Sequence, residues 1–124
     1  MNVVDSSAWL EYFADGPNSS AFEAAINDLE RLLVPTVVVL EVRRRLLQLG
    51  QPQGTADVLL ALTRGRSVPL DAALALEAAR LGVAHQLPLA DSIIYATGQR
   101  FGATVWTQDA DFKDLPGVEY RPGS

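Results

Sequence analysis

Short apolar runs alternate along this sequence with longer stretches in which apolar residues recur every three or four positions. The short runs are typical of strands buried on both faces of a parallel sheet, and the longer stretches are typical of amphipathic helices. Pro69 cannot donate to a central ladder, so its strand is predicted at an edge. The predicted strands are residues 3–4, 32–34, 68–70, 103–107 and 118–120. This alternation predicts an α/β fold, with a mostly parallel central sheet of four or five strands flanked by helices.

Capping and breaking residues set the limits of the predicted helices. Ser6 or Ser7 is expected to cap the first helix, and Thr36 the third. The β-branched residues 37–40 could instead extend the preceding strand, but apolar residues within 39–49 recur at helical steps and favour a helix. The first three predicted helices are residues 7–15, a helix that starts after Asn18 or Ser19 and runs through Leu29, and residues 37–49, which Gly50 ends. The next three are residues 51–64, a helix that Asp71 caps and that runs through Leu81, and a helix that has Pro88 in its first turn and ends at Gly102.

Length and composition limit the classes of protein to consider. The 124 residues are predicted to form a single domain over 1–124, with the last few residues loosely held. The sequence has no apolar run long enough for a membrane span and no signal peptide at its start. It has no cysteine, which excludes disulfides, thiolate zinc sites and cysteine nucleophiles and favours a reducing cytoplasm.

The charge balance bears on nucleic-acid binding. A net charge of −5, from 10 basic and 15 acidic residues, argues mildly against broad electrostatic capture of nucleic acid. If four of the 15 acids are metal ligands, 11 remain against 10 bases, and the rest of the surface is nearly neutral. The objection to a nucleic-acid substrate then weakens.

Four acidic residues lie in apolar surroundings, where a carboxylate is costly unless it is paired, hydrogen-bonded or bound to a metal. Asp5 and Asp109 follow predicted strands, and Glu41 and Asp91 lie near the starts of predicted helices. All four can therefore face the edge of the sheet where the strands end, which is where ligands bind in open α/β folds. Their mutual repulsion would be relieved by a hard divalent cation such as Mg²⁺. Individually, each acid could instead cap a helix or lie in a solvated turn, and for Asp111 the solvated turn is favoured.

These residues occur in four short motifs that together resemble the PIN domain, specifically the VapC-type toxins of toxin–antitoxin pairs. The motifs are Val-Val-Asp-Ser-Ser at 3–7, Leu-Glu-Val-Arg-Arg at 40–44, Leu-Ala-Asp-Ser at 89–92 and Thr-Gln-Asp-Ala-Asp-Phe at 107–112. The resemblance implies a three-layer fold, RNA cleavage, inhibition by an antitoxin and a homodimer. It also implies that Mg²⁺ or Mn²⁺ is bound by Asp5, Glu41, Asp91 and Asp109, with Asp111 as a frequent fifth acid. Basic residues are fewer than such a nuclease leads us to expect.

The resulting hypothesis is a Mg²⁺-dependent endoribonuclease in which an activated water attacks the phosphodiester and leaves 5′-phosphates. Thr107 and Ser6 could orient a ligand carboxylate, or could be ordinary strand-end and capping hydroxyls. Arg44 and Arg45 follow Glu41 at three and four residues, so they could form a basic lip for RNA or simple helical ion pairs with Glu41.

Three aromatic residues of the first helix have two interpretations. Trp9, Tyr12 and Phe13 could line a groove for an antitoxin peptide, as the resemblance suggests. Core packing or a dimer seam explains the same residues equally well.

Other functions remain open at this point. Arg80 and His85 match the loose spacing of HEPN-type ribonucleases, which are helical and metal-independent, and we treat the match as chance. A phosphatase of the haloacid dehalogenase type would need an aspartate where Ser7 stands, and a phospho-receiver would need a lysine placed differently from Lys113. A non-catalytic binding module with the same fold is the remaining alternative.

Overall fold

A central sheet of five parallel strands organises the computed structural model, which describes residues 1–50 and 55–123. The strand order is β3-β2-β1-β4-β5, so the chain builds one half of the sheet, returns to the middle and builds the other half. The strands are β1 (Asn2–Val4), β2 (Leu32–Pro35), β3 (Arg66–Val68), β4 (Thr104–Thr107) and β5 (Val118–Tyr120). The predicted α/β fold is confirmed, with five strands within the described residues.

The central strand β1 is paired on both sides and buried. Val3 pairs with Leu33 of β2 and with Val105 of β4, and all three side chains are buried. The ladder continues one residue beyond the strand, where the Asp5 amide donates to the Trp106 carbonyl at 2.9 Å. The strand order reverses between β1 and β4, and the crevice at such a switch point is where open α/β sheets bind ligands. Asp5 therefore enters that crevice directly from the middle of the sheet.

Helices cover this sheet and supply most of the remaining core. Trp9, Phe22, Tyr95 and Phe112 are among the largest fully buried side chains. None of the described helices is both long and apolar enough to cross a membrane. The helices are α1 (Ser6–Phe13), α2 (Ser19–Asn27), α3 (Thr36–Gln48), α4 (Thr55–Thr63), α5 (Ala72–His85) and α6 (Leu89–Phe101), with 3₁₀ helices at Leu29–Arg31 and Ala110–Phe112.

Several predicted boundaries differ from the structure. Asp5, not Ser6 or Ser7, caps α1, because its carboxylate accepts the Ser6 amide at 2.7 Å. The edge strand β3 ends before Pro69, which has no N–H for the ladder. Pro35 rather than Thr36 precedes α3, and Pro88 lies just before α6.

Other boundary predictions have different outcomes. Leu29 belongs to a 3₁₀ helix and is exposed rather than buried on α2. Residues 37–40 are helical, as favoured, and Asp71 caps α5 as predicted. The predicted helix start at Gln51 and the predicted loose end at Ser124 lie outside the described residues.

Candidate metal centre

Four carboxylates from different elements meet at the carboxyl edge of the sheet. Asp5 ends β1 and is 1% exposed, and Asp91 is the third residue of α6 and 7% exposed. Glu41 lies on α3 and is partly buried, and Asp109 follows β4 by two residues. Carboxylate oxygens of Asp91, Asp109 and the exposed Asp111 lie within 4.8 Å of one another. The predicted convergence of the acids is therefore present in the fold, although their role as ligands stays a prediction.

Asp5 is held on both carboxylate oxygens. Oδ1 accepts the Ser6 amide at 2.7 Å, while Oδ2 accepts the hydroxyl of Ser7 at 2.8 Å and the hydroxyl of Thr107 at 2.7 Å. Burial raises the pKa of Asp5 above its ordinary value, and these hydrogen bonds partly offset that rise. Each oxygen of Asp5 thus has two polar neighbours, since Oδ1 also lies 3.3 Å from the Ser6 hydroxyl.

The two hydroxyls that donate to Asp5 also receive backbone amides from the Asp109 segment. The Gln108 amide donates to Ser7 Oγ at 3.1 Å, and the Asp109 amide donates to Thr107 Oγ1 at 2.9 Å. Asp109 Oδ1 in turn accepts the Asp111 amide at 2.9 Å and caps the 3₁₀ helix Ala110–Phe112. The connection after β4 is thus hydrogen-bonded to the connection after β1.

Glu41 reaches the cluster through Ser6. The Ser6 hydroxyl lies 3.0 Å from Glu41 Oε1 and 3.3 Å from Asp5 Oδ1, so it bridges the two carboxylates. Burial is the main cause of a raised Glu41 pKa, and the charges of Asp5 and Asp109 add to it. A cleft of about 370 Å³ opens beside this bridge and is lined by Ser6, Leu10, Leu40, Glu41, Arg44, Arg45 and Gln48.

Asp91 has a strongly raised pKa. Burial, and then the charges of Asp5, Asp109 and Glu41, raise the pKa of Asp91 to about 8. Among the described residues, the acids in ion pairs with arginine are on other parts of the surface: Asp28, Asp71, Glu77 and Glu119. The cluster therefore has the donor chemistry of a hard divalent cation site, since its ligating atoms are carboxylate oxygens without imidazole or thiolate. Mg²⁺ and Mn²⁺ fit these residues.

The remaining candidate residues fall into two groups. Thr107 and Ser6 donate hydrogen bonds to the acids, while Arg44 and Arg45 are exposed along the cleft. Trp9 is wholly buried and stacks on Phe13 with ring centroids 5.6 Å apart, so it packs in the core rather than lining a groove.

The residues of the other candidate functions lie in structural contacts. Arg80 pairs with Glu77 on α5, and His85 packs edge-on against Tyr95. No described contact joins either residue to the acidic cluster, so the HEPN-like spacing has no supporting arrangement in the described residues.

Sequence reasoning missed Ser7 and Gln108. The order of residues gives Ser7 as a neighbour of Asp5, but its contact with the Gln108 amide joins positions 101 residues apart. Gln108 is held a second time, because its Oε1 accepts the Asn18 side-chain amide at 2.6 Å. Only the register of β1 against β4 brings these groups together.

Known structures with the same fold include toxins and toxin–antitoxin complexes. A toxin–antitoxin complex from Klebsiella pneumoniae matches with a TM-score of 0.80 and 21% identity, covering 96% of each chain. VapC20 of Mycobacterium tuberculosis, described as a sarcin–ricin loop cleaving toxin, matches with a TM-score of 0.77 and 20% identity, covering 98% of this chain and 100% of the other. VapBC2 of Rickettsia felis, bound to a DNA fragment from its promoter, matches with a TM-score of 0.74 and 14% identity, covering 98% and 97%.

Sequence comparison gives the family. None of the curated proteins matches the chain significantly. The family profile of the PIN domain matches residues 3–118, which include all four acids and all strand residues except Asn2 of β1 and the last two residues of β5. The chain belongs to the PIN domain family.

Proposed function

We propose that this protein is a Mg²⁺-dependent endoribonuclease, a hydrolase of RNA phosphodiester bonds, and the toxin of a type II toxin–antitoxin pair. The observation that supports this most directly is the meeting of Asp5, Glu41, Asp91 and Asp109 beside an open cleft. PIN domain membership and the toxin–antitoxin origin of the similar structures support the same assignment. Its place of action is the cytoplasm, where RNA and an antitoxin are both present.

In this proposal Asp5, Glu41, Asp91 and Asp109 hold Mg²⁺, or Mn²⁺ in its place. The bound cation supplies Lewis-acid stabilisation of phosphate charge and a lowered pKa for water. Asp5 is the most deeply buried of the four acids, and hydrogen bonds to both of its oxygens fix its orientation. Ser6 and Thr107 keep the carboxylates oriented, and Asp111 adds negative charge at the exposed rim of the cluster.

The chain also supplies a route for the RNA backbone. Arg44 and Arg45 line the cleft together with Glu41, and their guanidinium groups can bind RNA phosphates beside the acids. This local positive charge compensates for the net charge of −5, which gives no general attraction for RNA.

Two protein partners complete the proposal, a cognate antitoxin and a second copy of the chain. A groove of about 230 Å³ between α1 and α3, lined by Leu10, Phe13 and Leu49 among others, is suited to an apolar antitoxin segment. The outer face of α5 exposes Leu76 and Val83 at 75% and 83%, seven residues apart on one stripe, which favours burial against a partner copy.

The decisive experiment is RNA cleavage by the purified protein with Mg²⁺, with EDTA, and with the Asp5→Asn variant. We expect cleavage with Mg²⁺, products with 5′-phosphates, and losses of at least about 100-fold with EDTA or Asp5→Asn. Glu23→Gln, on the exposed face of α2, is the matched control and should cleave normally. Undiminished cleavage in EDTA, or products with cyclic phosphates, would refute the proposal.

A further inference from the structure

Ser7 occupies a position in the hydrogen-bond network that its neighbours do not duplicate. Its hydroxyl donates to Asp5 Oδ2 at 2.8 Å and accepts the Gln108 amide at 3.1 Å. It therefore joins the acid that follows β1 to the backbone one residue before the acid that follows β4. Ser6, the adjacent hydroxyl, bridges Asp5 and Glu41 and has no such link to the Asp109 segment among the described contacts.

Thr107 makes the same kind of connection as Ser7, because its hydroxyl also joins Asp5 to a backbone amide of the Asp109 segment. Each hydroxyl donates to the same oxygen of Asp5, and each accepts one of two consecutive amides, those of Gln108 and Asp109. The two hydroxyl oxygens lie 3.3 Å apart, side by side, because both protons are directed to Asp5 Oδ2. Two adjacent links restrain both the distance and the rotation of the Asp109 segment, whereas one link restrains only the distance.

The Asp109 segment needs such restraint because it is outside the sheet. Asp109 lies two residues beyond β4, and its own carboxylate is occupied in capping a short 3₁₀ helix. The Arg121 amide holds the Thr107 carbonyl at 2.9 Å and Asn18 holds the Gln108 side chain, but neither contacts another acid of the cluster. Of the described contacts to Gln108, the hydrogen bond to Ser7 is the one that fixes the position of Gln108 relative to Asp5.

We propose that Ser7 is a positioning residue that sets the separation of the Asp5 and Asp109 carboxylates, and thereby the affinity of the site for a divalent cation. This inference rests on the proposed function, because it assumes that these carboxylates bind the cation together. Loss of a hydrogen-bonding partner around metal ligands typically lowers metal affinity about 10- to 100-fold. Ser7 does not touch the substrate or the cation in this proposal.

The test measures Mn²⁺ dissociation constants of the intact protein by titration calorimetry or by the paramagnetic signal of free Mn²⁺, without RNA. Ser7→Ala should bind Mn²⁺ about tenfold more weakly than wild type. Ser7→Thr, which keeps the hydroxyl, should stay within about threefold of wild type. Ser20→Ala, on the exposed face of α2, is the control and should match wild type.

Amide hydrogen exchange provides a second measurement that a general packing defect would not reproduce. In Ser7→Ala the Gln108 amide should exchange at least about tenfold faster, while core amides of β1 keep their protection. Should Ser7→Ala fail to fold, Ser7→Cys fills the site with a slightly larger, weakly hydrogen-bonding group and should show the same weakened Mn²⁺ binding.

Three results would overturn the inference: Mn²⁺ affinity of folded Ser7→Ala within twofold of wild type, Ser7→Thr as weak as Ser7→Ala, or unchanged exchange at Gln108. A wild-type protein that binds no Mn²⁺ overturns the inference together with the proposed metal centre. A wild-type protein that binds Mn²⁺ but cleaves no RNA contradicts only the proposed function, and the ranking of the Ser7 variants then decides the inference alone.

Discussion

Removing one charge from the acidic cluster should stabilise the protein when no divalent cation is present. Asp91 is the residue to change, because burial and the charges of Asp5, Asp109 and Glu41 raise its pKa to about 8. A carboxyl whose pKa is higher in the folded state binds its proton more tightly there than in the unfolded chain. Folding stability at this site therefore falls as pH rises from the unfolded value of 3.8 toward about 8.

The structure limits the size of this effect. At about 1.36 kcal/mol per pKa unit, the full shift of Asp91 corresponds to about 5 kcal/mol at pH 8. Glu41 and Asp109 are partly exposed, so solvent and salt screen their repulsion of Asp91. We therefore expect Asp91→Asn to gain about 2–3 kcal/mol of unfolding free energy at pH 8. The gain should shrink steadily toward pH 4, close to the unfolded pKa of 3.8, where the carboxyl is protonated in the folded state and partly protonated in the unfolded chain.

The measurement is urea and thermal unfolding in EDTA at several pH values between 4 and 8. For a chain of this length the expected gain at pH 8 raises Tm by about 8–12 °C. Glu23→Gln removes one negative charge from the exposed face of α2, and its Tm should change little. An Asp91→Asn variant that is less stable than wild type at pH 8 in EDTA would refute the reasoning.

Adding Mg²⁺ should stabilise the wild-type protein more than Asp91→Asn and so change which of the two is the more stable. Wild type should gain about 2.7 kcal/mol at a Mg²⁺ concentration 100 times its dissociation constant. Asp91→Asn should gain much less, since it has lost a charged ligand. An equal Mg²⁺-dependent gain in both proteins would show that Asp91 does not take part in binding the cation.

Three further predictions concern RNA binding, packing and assembly. Arg44→Glu combined with Arg45→Glu should raise KM for RNA about tenfold and flatten its salt dependence; an unchanged KM would contradict the basic lip. Gly98→Ala should cost about 1–2 kcal/mol in denaturant unfolding, despite better helix propensity, because the added Cβ would lie 2.7 Å from Val105 Cγ2; a more stable variant would contradict this. Leu76→Glu should convert a dimer to a monomer in sedimentation equilibrium, and an unchanged mass would exclude the outer face of α5 as the seam.

The parts of the fold that follow from local chemistry were predictable. Val3 and Val4 predict a buried strand because both consecutive residues are apolar, and the structure places that strand in the middle of the sheet. Asp71 and Gly102 predict helix limits because a carboxylate can accept early amides and glycine tolerates a positive φ, which is 58° at Gly102. The convergence of the acids followed from strand ends sharing one edge.

The parts that depend on register were not predictable. The residue that caps α1 is Asp5 rather than Ser6 or Ser7, because both serine hydroxyls are directed to carboxylates. The directions of these hydroxyls depend on the positions of Thr107 and Gln108 at the end of β4. Those positions are set by the pairing of β1 with β4, which are about 100 residues apart in the sequence. Hydrophobic periodicity identifies the strands but contains no information on which hydroxyl faces which amide.

The energetics of the cluster bear on the alternative of a non-catalytic binding module. Burying Asp5 and Asp91 near Glu41 and Asp109 raises carboxyl pKa values, so the metal-free fold is less stable at neutral pH than one with neutral residues at these positions. A binding surface elsewhere on the molecule gains nothing from that arrangement. A divalent cation changes the balance, because it converts repulsion among the carboxylates into shared attraction. The acids are therefore best explained by a bound cation, and a Tm at pH 8 that does not respond to Mg²⁺ or Mn²⁺ would favour the binding module.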